Sequence, residues 1–260
     1  MAARLPYDSF AEIYDAWVDG VPVADEMCSF YVELLTHTPE PVVELGVGNG
    51  RICVEAARQG RRVVGVDSSA AILELCASRA RETGVSESLE LVQADFRDFE
   101  LSEPASLVAL PFHSIGHLAD DEEKLRCMRQ IFSQLKPGGR FAWDHFVFDP
   151  DFPIRPGDRH LRASLGIEST GGQRRVWETS THLEDRRLIE ILVEIEDFAD
   201  DDQCVDRRQV RLEMSWLEPE RSREMLGQAG FEIEHLFGDF ERGPFTPHSS
   251  HQVWIAAKPA

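Results

Sequence analysis

The stretch VVELGVGNGRI, Val42 to Ile52, constrains this chain more than any other. A short apolar run gives way to three glycines in five positions, Gly46, Gly48 and Gly50. That is the pattern of a buried strand ending in a tight turn before a helix, where glycine permits backbone angles and close approaches that a side chain forbids. Open parallel sheets use such a turn to seat an adenine-containing cofactor at the carboxyl ends of their strands. The dinucleotide fingerprint G-x-G-x-x-G would put its third glycine at position 51. Arg51 stands there, and the third glycine comes one place earlier, in a G-x-G-x-G series preceded by the acid Glu44. Two classes of adenine cofactor therefore compete for the loop, one with a pyrophosphate and one without, and Arg51 argues against the first.

The same rhythm continues on both sides. Periodicity predicts helices over 8–17, 25–35, 51–59, 69–82 and 121–135, and strands over 42–45, 62–66, 89–93, 106–110 and 140–148. Strands alternating with helices at this spacing build parallel βαβ units. From about 159 to 215 no helix is expected. Segments 174–182, 187–198 and 204–216 alternate apolar and polar residues, as antiparallel strands with one wet face do. A helix over 218–229, stopped by Gly230, and strands over 231–237 and 252–257 then resume the α/β pattern.

Composition narrows the partners. The 260 residues include 42% hydrophobic ones, enough for a core, and 47 acids against 27 Lys and Arg give a net charge of −20. So acidic a surface repels phosphate backbones and anionic membranes, and we set both aside as partners. Cysteines 28, 53, 76, 127 and 204 are odd in number and show no CxxC spacing, which suggests free thiols in a reducing compartment. Residues 1–10 do not resemble a signal peptide, and no apolar run approaches the roughly 20 residues of a membrane span. A cytosolic location is expected.

Two further landmarks stand at strand ends. Asp67, closing the second strand, can accept hydrogen bonds from both hydroxyls of a ribose. Asp95 and Phe96, in the run Gln93-Ala94-Asp95-Phe96 after the third strand, suit an adenine amino group and ring face. With these in place, ELGVGNGR, GVDSS, ADF and LKPGG stand in the order and spacing of class I S-adenosylmethionine-dependent methyltransferases, which the chain resembles over nearly its whole length. The resemblance implies an α/β fold, a Rossmann-like doubly wound seven-stranded sheet with its last strand antiparallel and an inserted antiparallel β lid. It implies a helical cap over 1–40, a cofactor-binding domain over 41–158 and 216–260, and the insert over 159–215. It also implies S-adenosylmethionine as cofactor. Glu44, Gly46, Gly48, Asn49, Gly50 and Arg51 would surround its methionine part, Asp67 and Ser68 its ribose, Ala94, Asp95 and Phe96 its adenine, and Leu110 and Phe112 its sulfonium side. Asn49 departs mildly from the Thr or Ser that many members carry.

YDSFAEIYDAW, PFHSIGHL, DHFVFDP and the antiparallel insert together resemble bacterial small-molecule N-methyltransferases, namely the aminosugar N,N-dimethyltransferases of macrolide pathways and the lincosamide N-methyltransferases, with glycine N-methyltransferases more distant. The expected acceptor is a small amine. Transfer from a sulfonium needs mostly positioning, which can supply roughly 7–11 kcal/mol. His117 can take a proton from an ammonium, as its ordinary titration range allows, and the resemblance puts Tyr14 near the methyl group. Tyr7, Trp17, His113, Trp143, His145, Phe146 and Arg242 are candidates to contact the acceptor. Either Trp143 and His145 or Asp144 and Phe146 can line the pocket, since strand residues alternate faces. His113 and His117 lack an acid or Cys at ligand spacing, so no metal is expected. Methylation of oxygen, a nicotinamide-dependent oxidoreductase and a cofactor-binding domain without catalysis are the alternatives. The insert is expected to support a homo-oligomer.

Overall fold

The computed structural model describes residues 6–9, 11–19, 23–149, 157–167 and 171–260. Most of residues 1–10, Phe10 of the predicted first helix, and Pro150 of the DHFVFDP run lie outside them. The chain divides into two compact units, Met1–Ala24 with Pro150–Ser215, and Asp25–Asp149 with Trp216–Ala260. The segment expected as one cap over 1–40 thus contributes to both units.

In chain order, the helices are α1 (Tyr14–Asp19), α2 (Ala24–His37), α3 (Cys53–Arg58), α4 (Ala70–Glu82), α5 (Asp121–Gln134) and α6 (Pro219–Ala229). The strands are β1 (Val42–Leu45), β2 (Val63–Asp67), β3 (Leu89–Gln93), β4 (Ala105–Leu110), β5 (Leu135–Phe146), β6 (Arg159–Ile167), β7 (Gly172–Leu183), β8 (Leu188–Phe198), β9 (Cys204–Ser215), β10 (Glu232–Phe237) and β11 (His251–Ala257).

The larger unit is built on a seven-stranded sheet in the order β10-β11-β5-β4-β1-β2-β3. Strands β1 to β5 pair in parallel, and β11 runs antiparallel to both β5 and β10. All four residues of β1 and all six of β4 are buried, and the two strands are apolar except for Glu44 and Ser106. The strand order reverses between β1 and β4, so the crevice between their carboxyl ends is the switch point where such sheets bind ligands.

Local chemistry sets the helix ends. The Ser69 hydroxyl accepts from the Ile72 amide (3.2 Å) to start α4, and Asp120 accepts from the Glu123 amide (2.8 Å) to start α5. Helix α6 begins with Pro219 and stops at Gly230, whose φ is 101°. Strand β5 begins at Leu135, five residues before the predicted start. The Gly138 amide donates to the Lys258 carbonyl and the Lys258 amide to the Gly139 carbonyl, both at 2.8 Å, which draws the Lys-Pro-Gly-Gly turn into the sheet. The Lys258 ammonium also donates to the carbonyls of Phe132 (2.9 Å) and Leu135 (2.7 Å), closing α5.

The smaller unit is a four-stranded antiparallel sheet in the order β6-β7-β8-β9. Three of these strands follow from alternation; β6 does not. Its register slips between Leu161 and Ala163, and Leu161 is exposed, so its pattern does not read as one buried face. The predicted helix over 8–17 is replaced by 3-10 turns at Pro6–Ser9 and Ala11–Ile13 followed by the short α1. These residues cover one face of the sheet. Ile13 is buried with Val176, Val193, Ile195, Val210 and Leu212, and Tyr7, Tyr14 and Trp17 pack against them. So short a segment gains little from helix formation alone, and contacts with the sheet set its path. On the opposite face Glu196 is buried, receiving the Trp177 indole N–H (2.9 Å) and pairing with Arg159 (3.0 Å) and Arg207 (2.7 Å). No helix among the described residues is long and apolar enough to cross a membrane.

Candidate active site

The glycine loop leaves β1 with Gly46, Gly48 and Gly50 all at positive φ (65°, 56° and 80°). At Gly50 the need is double. A Cβ there would sit 2.6 Å from Cys76 Sγ and 3.0 Å from Val54 Cγ2, in a backbone conformation that L residues avoid. A Cβ on Gly46 would sit 3.0 Å from Ser114 Oγ, so the loop runs closely past the turn that follows β4.

Asp67 ties the loop to β2. One carboxylate oxygen accepts from the Gly48 amide (3.1 Å) and the other from the Ser69 amide (2.9 Å). Beneath the loop, Glu44 and Asn49 are each 2% exposed. Among the described residues Glu44 Oε2 has no hydrogen-bond partner, and burial raises its pKa well above the usual carboxylate range. A buried carboxyl with an open oxygen is a seat for a cationic group, because a positive partner offsets the cost of its ionised form. Arg51 lies at the entry to α3, beside Cys28, and Ser68 accepts from the Gln93 side chain through its carbonyl (3.2 Å).

After β3, Asp95 is already engaged. Its oxygens accept from Arg97 Nε (2.9 Å), Nη2 (2.5 Å) and backbone amide (2.8 Å), and Arg97 reaches on to Glu123. The Arg97 hydrogen bonds hold the Asp95 carboxyl below its ordinary pKa. Ala94 and Phe96 are half-buried against the core.

Beyond β4 the structure brings together residues that the sequence scatters. Leu110 is fully buried, and Phe112 and His113 both adopt left-handed backbone, with φ of 56° and 57°. They are held from β5 by Asp144, which is wholly buried. Its oxygens accept from the Tyr31 hydroxyl (2.6 Å), the Phe112 amide (3.0 Å) and the His113 amide (3.1 Å), and His113 Nδ1 lies 2.8 Å away. The sequence offered Asp144 only as one of two alternating pairs that can line the pocket; its clamping role was not foreseen, because its partners come from α2 and the β4 turn, up to 113 residues distant. The only signal on offer was an acid inside the otherwise apolar-aromatic run FAWDHF.

The remaining candidates fall in several places. Trp143 is fully buried, stacked between Phe141 and Trp254 at 6.1 Å from each, and so packs the core instead of lining an open pocket. His145 is also fully buried, and its ring lies 4.4 Å from Phe146 and 5.9 Å from His113. His117 ends the 3-10 turn Ser114–His117, half-buried, and not on the helix that an i, i+4 pairing with His113 assumed. The next carbonyl, of Leu118, accepts from the buried Lys124 ammonium (2.7 Å). Arg242 pairs with Glu33 (3.0 Å) over the Phe30 ring. In the smaller unit, Tyr7 and Tyr14 meet edge-to-face at 6.0 Å, and the Trp17 indole donates to Glu178 (3.1 Å). A cleft of about 320 Å³ near Pro41, Arg62 and Glu103 opens at the amino ends of the strands, away from this chemistry. Among the described residues no cluster of His, Cys, Asp or Glu is arranged to hold a metal ion.

Comparison with known proteins accords with this geometry. Residues 42–139 match the family described as "Methyltransferase domain". The cypemycin N-terminal methyltransferase of a Streptomyces species is 33% identical over 136 residues, 50% of this chain and 53% of that one. The chain thus spans about half the length of that curated relative. The structure of the CcbJ methyltransferase from Streptomyces caelestis superposes with a TM-score of 0.80 at 25% identity, covering 99% of both chains. An amino pentose methyltransferase from Micromonospora echinaspora, solved with S-adenosylmethionine bound, shares the fold with a TM-score of 0.68 at 16% identity, over 96% of each chain.

Proposed function

We propose, from the premise that residues 42–139 are a methyltransferase domain on a class I fold, that this chain moves a methyl group from S-adenosylmethionine to the amine nitrogen of a small molecule. The observation that carries the reading is the buried, unpartnered Glu44 oxygen under a glycine loop at the β1/β4 switch point. S-adenosylmethionine has an ammonium to meet that carboxyl and a ribose whose hydroxyls suit Asp67. It lacks the pyrophosphate of a dinucleotide, whose fingerprint would also need a glycine where Arg51 stands. When bound, it supplies an electrophilic methyl group on sulfur. The chain's own work is to hold the amine in line with that carbon and to keep the nitrogen lone pair free of its proton. Ser114, against Gly46, and the neighbouring Phe112 stand on the β4 side of the loop, and Tyr14 and His117 are proposed to act on the acceptor.

The amine acceptor is supported by what the relatives are called: one modifies an N-terminus and another an amino pentose. We further propose that the protein self-associates and works in the cytosol. A calorimetric titration tests the cofactor: S-adenosylhomocysteine binds and NAD does not. A panel of amines and matched alcohols, offered with methyl-labelled cofactor, tests the acceptor. Label confined to the alcohols would replace the amine with an oxygen acceptor. Light scattering that shows a monomer at micromolar concentration removes self-association.

A further inference from the structure

We propose that His113, held by Asp144, is the base that takes the proton an acceptor ammonium must lose before methylation, and that Asp144 is its positioning residue. The inference rests on the amine reading above and moves the base from His117 to a residue four places earlier.

A carboxylate as buried as Asp144 persists only when its lone pairs are used. Tyr31 and two backbone amides use three of them, and the imidazole of His113 approaches the fourth site at 2.8 Å. That last contact is short but bent, an ion-pair approach outside hydrogen-bond geometry. A carboxylate at Nδ1 keeps the proton on that nitrogen and leaves the Nε2 lone pair as the acceptor. The two amide bonds also hold Phe112 and His113 in left-handed backbone, which non-glycine residues rarely adopt. Strain of this kind persists where surrounding groups over-determine it, as at sites that must aim a side chain. Ser114, the next residue, abuts Gly46 of the cofactor loop, which places His113 at the rim of the switch-point crevice.

The groups facing His113 suit the task. Asp144 and His145 come from β5, His251 from the start of β11, and Tyr31 from α2 by way of Asp144. His251 stacks on His113 at 5.6 Å, and burial together with the neighbouring His113 charge lowers its pKa to about 4. At neutral pH His251 therefore adds no positive charge beside a protonated His113. The step balances simply. The N–H proton passes to Nε2 while its electron pair stays on nitrogen. The nitrogen then bonds to the methyl carbon as the carbon–sulfur bond breaks and sulfur keeps that pair. The His113 imidazolium, neutralised by Asp144, returns its proton to water.

Two measurements decide it. In wild-type protein, ¹⁵N spectra of the histidine rings at neutral pH should show His113 protonated at Nδ1, and this signature should vanish in Asp144→Asn. With saturating cofactor and an amine found in the panel, His113→Gln should lower kcat about 10²–10³-fold at neutral pH. The loss should shrink at high pH, where the amine arrives neutral, and the acceptor KM and S-adenosylhomocysteine affinity should stay within a few-fold of wild type. The wild-type spectrum and His113→Gln both leave the buried Asp144 unchanged, so the test stands even if Asp144→Asn does not fold. An Nε2-protonated His113 in wild type, or an unchanged acidic limb in His113→Gln, overturns the base alone. A protein that binds S-adenosylhomocysteine but methylates no amine overturns the functional reading and the base with it.

Discussion

Glu44 and Gly50 show how single residues shape the loop. Glu44 carries a raised pKa with one oxygen unpartnered, so it holds its proton further up the pH scale than an exposed carboxyl. A ligand that brings a cation favours the ionised form, so binding should expel that proton. S-adenosylhomocysteine affinity should then rise with pH through the raised pKa. Calorimetry in buffers of different ionisation enthalpy should show proton release in wild type and none in Glu44→Gln, which should also bind about ten- to a hundredfold more weakly. Gly50→Ala meets both the positive φ and the Cys76 sulfur. It should cost about 1–3 kcal/mol in urea unfolding, more than either cause alone. Both residues were legible in the sequence, because the loop's chemistry is compressed into seven consecutive positions, Glu44 to Gly50. The clamping role of Asp144 was not, since it depends on Tyr31, Phe112 and His113 meeting it across three separate segments.

Among the elements, those with strong local signals kept their predicted places. Helices α4, α5 and α6 carry caps or stops written in adjacent residues, and they stand within one or two positions of expectation. The early start of β5 depends on Lys258, more than a hundred residues away, and the first segment follows the sheet it covers. Strand β6 was hidden by its slipped register. On the outer face of the four-stranded sheet, Glu196 accepts from an indole and pairs with two arginines. Glu196→Ala should destabilise the protein by about 1–2 kcal/mol, a modest sum because Arg159 and Arg207 are part exposed and water replaces some of the loss. Thermal unfolding of Glu196→Gln should recover part of it, since the amide oxygen still accepts from Trp177.

For the whole molecule, charge and topology matter most. A net charge of −20 makes the folded chain repel itself. Raising salt from low to physiological strength should lift the thermal midpoint by about 2–5 °C, and a flat response would mean that local ion pairs already neutralise the field. The same field should draw cationic acceptors, so KM for an amine should rise with salt while kcat holds. Topology does the rest: reversing the strand order between β1 and β4 puts the glycine loop and the Phe112–His113 turn on the two sides of one crevice.

The sequence by itself determined the parallel α/β sheet, the cofactor loop and the acids at the ends of β2 and β3, because each is set by short-range periodicity and by what glycine alone can do. The tertiary structure decided that Asp95 is engaged by Arg97, that Trp143 belongs to the core, and that Asp144 clamps a left-handed turn carrying His113. The reason is physical. Backbone periodicity is local and repeats, whereas a buried charge is stable only where donors from distant segments converge on it, and that convergence exists only in the folded chain.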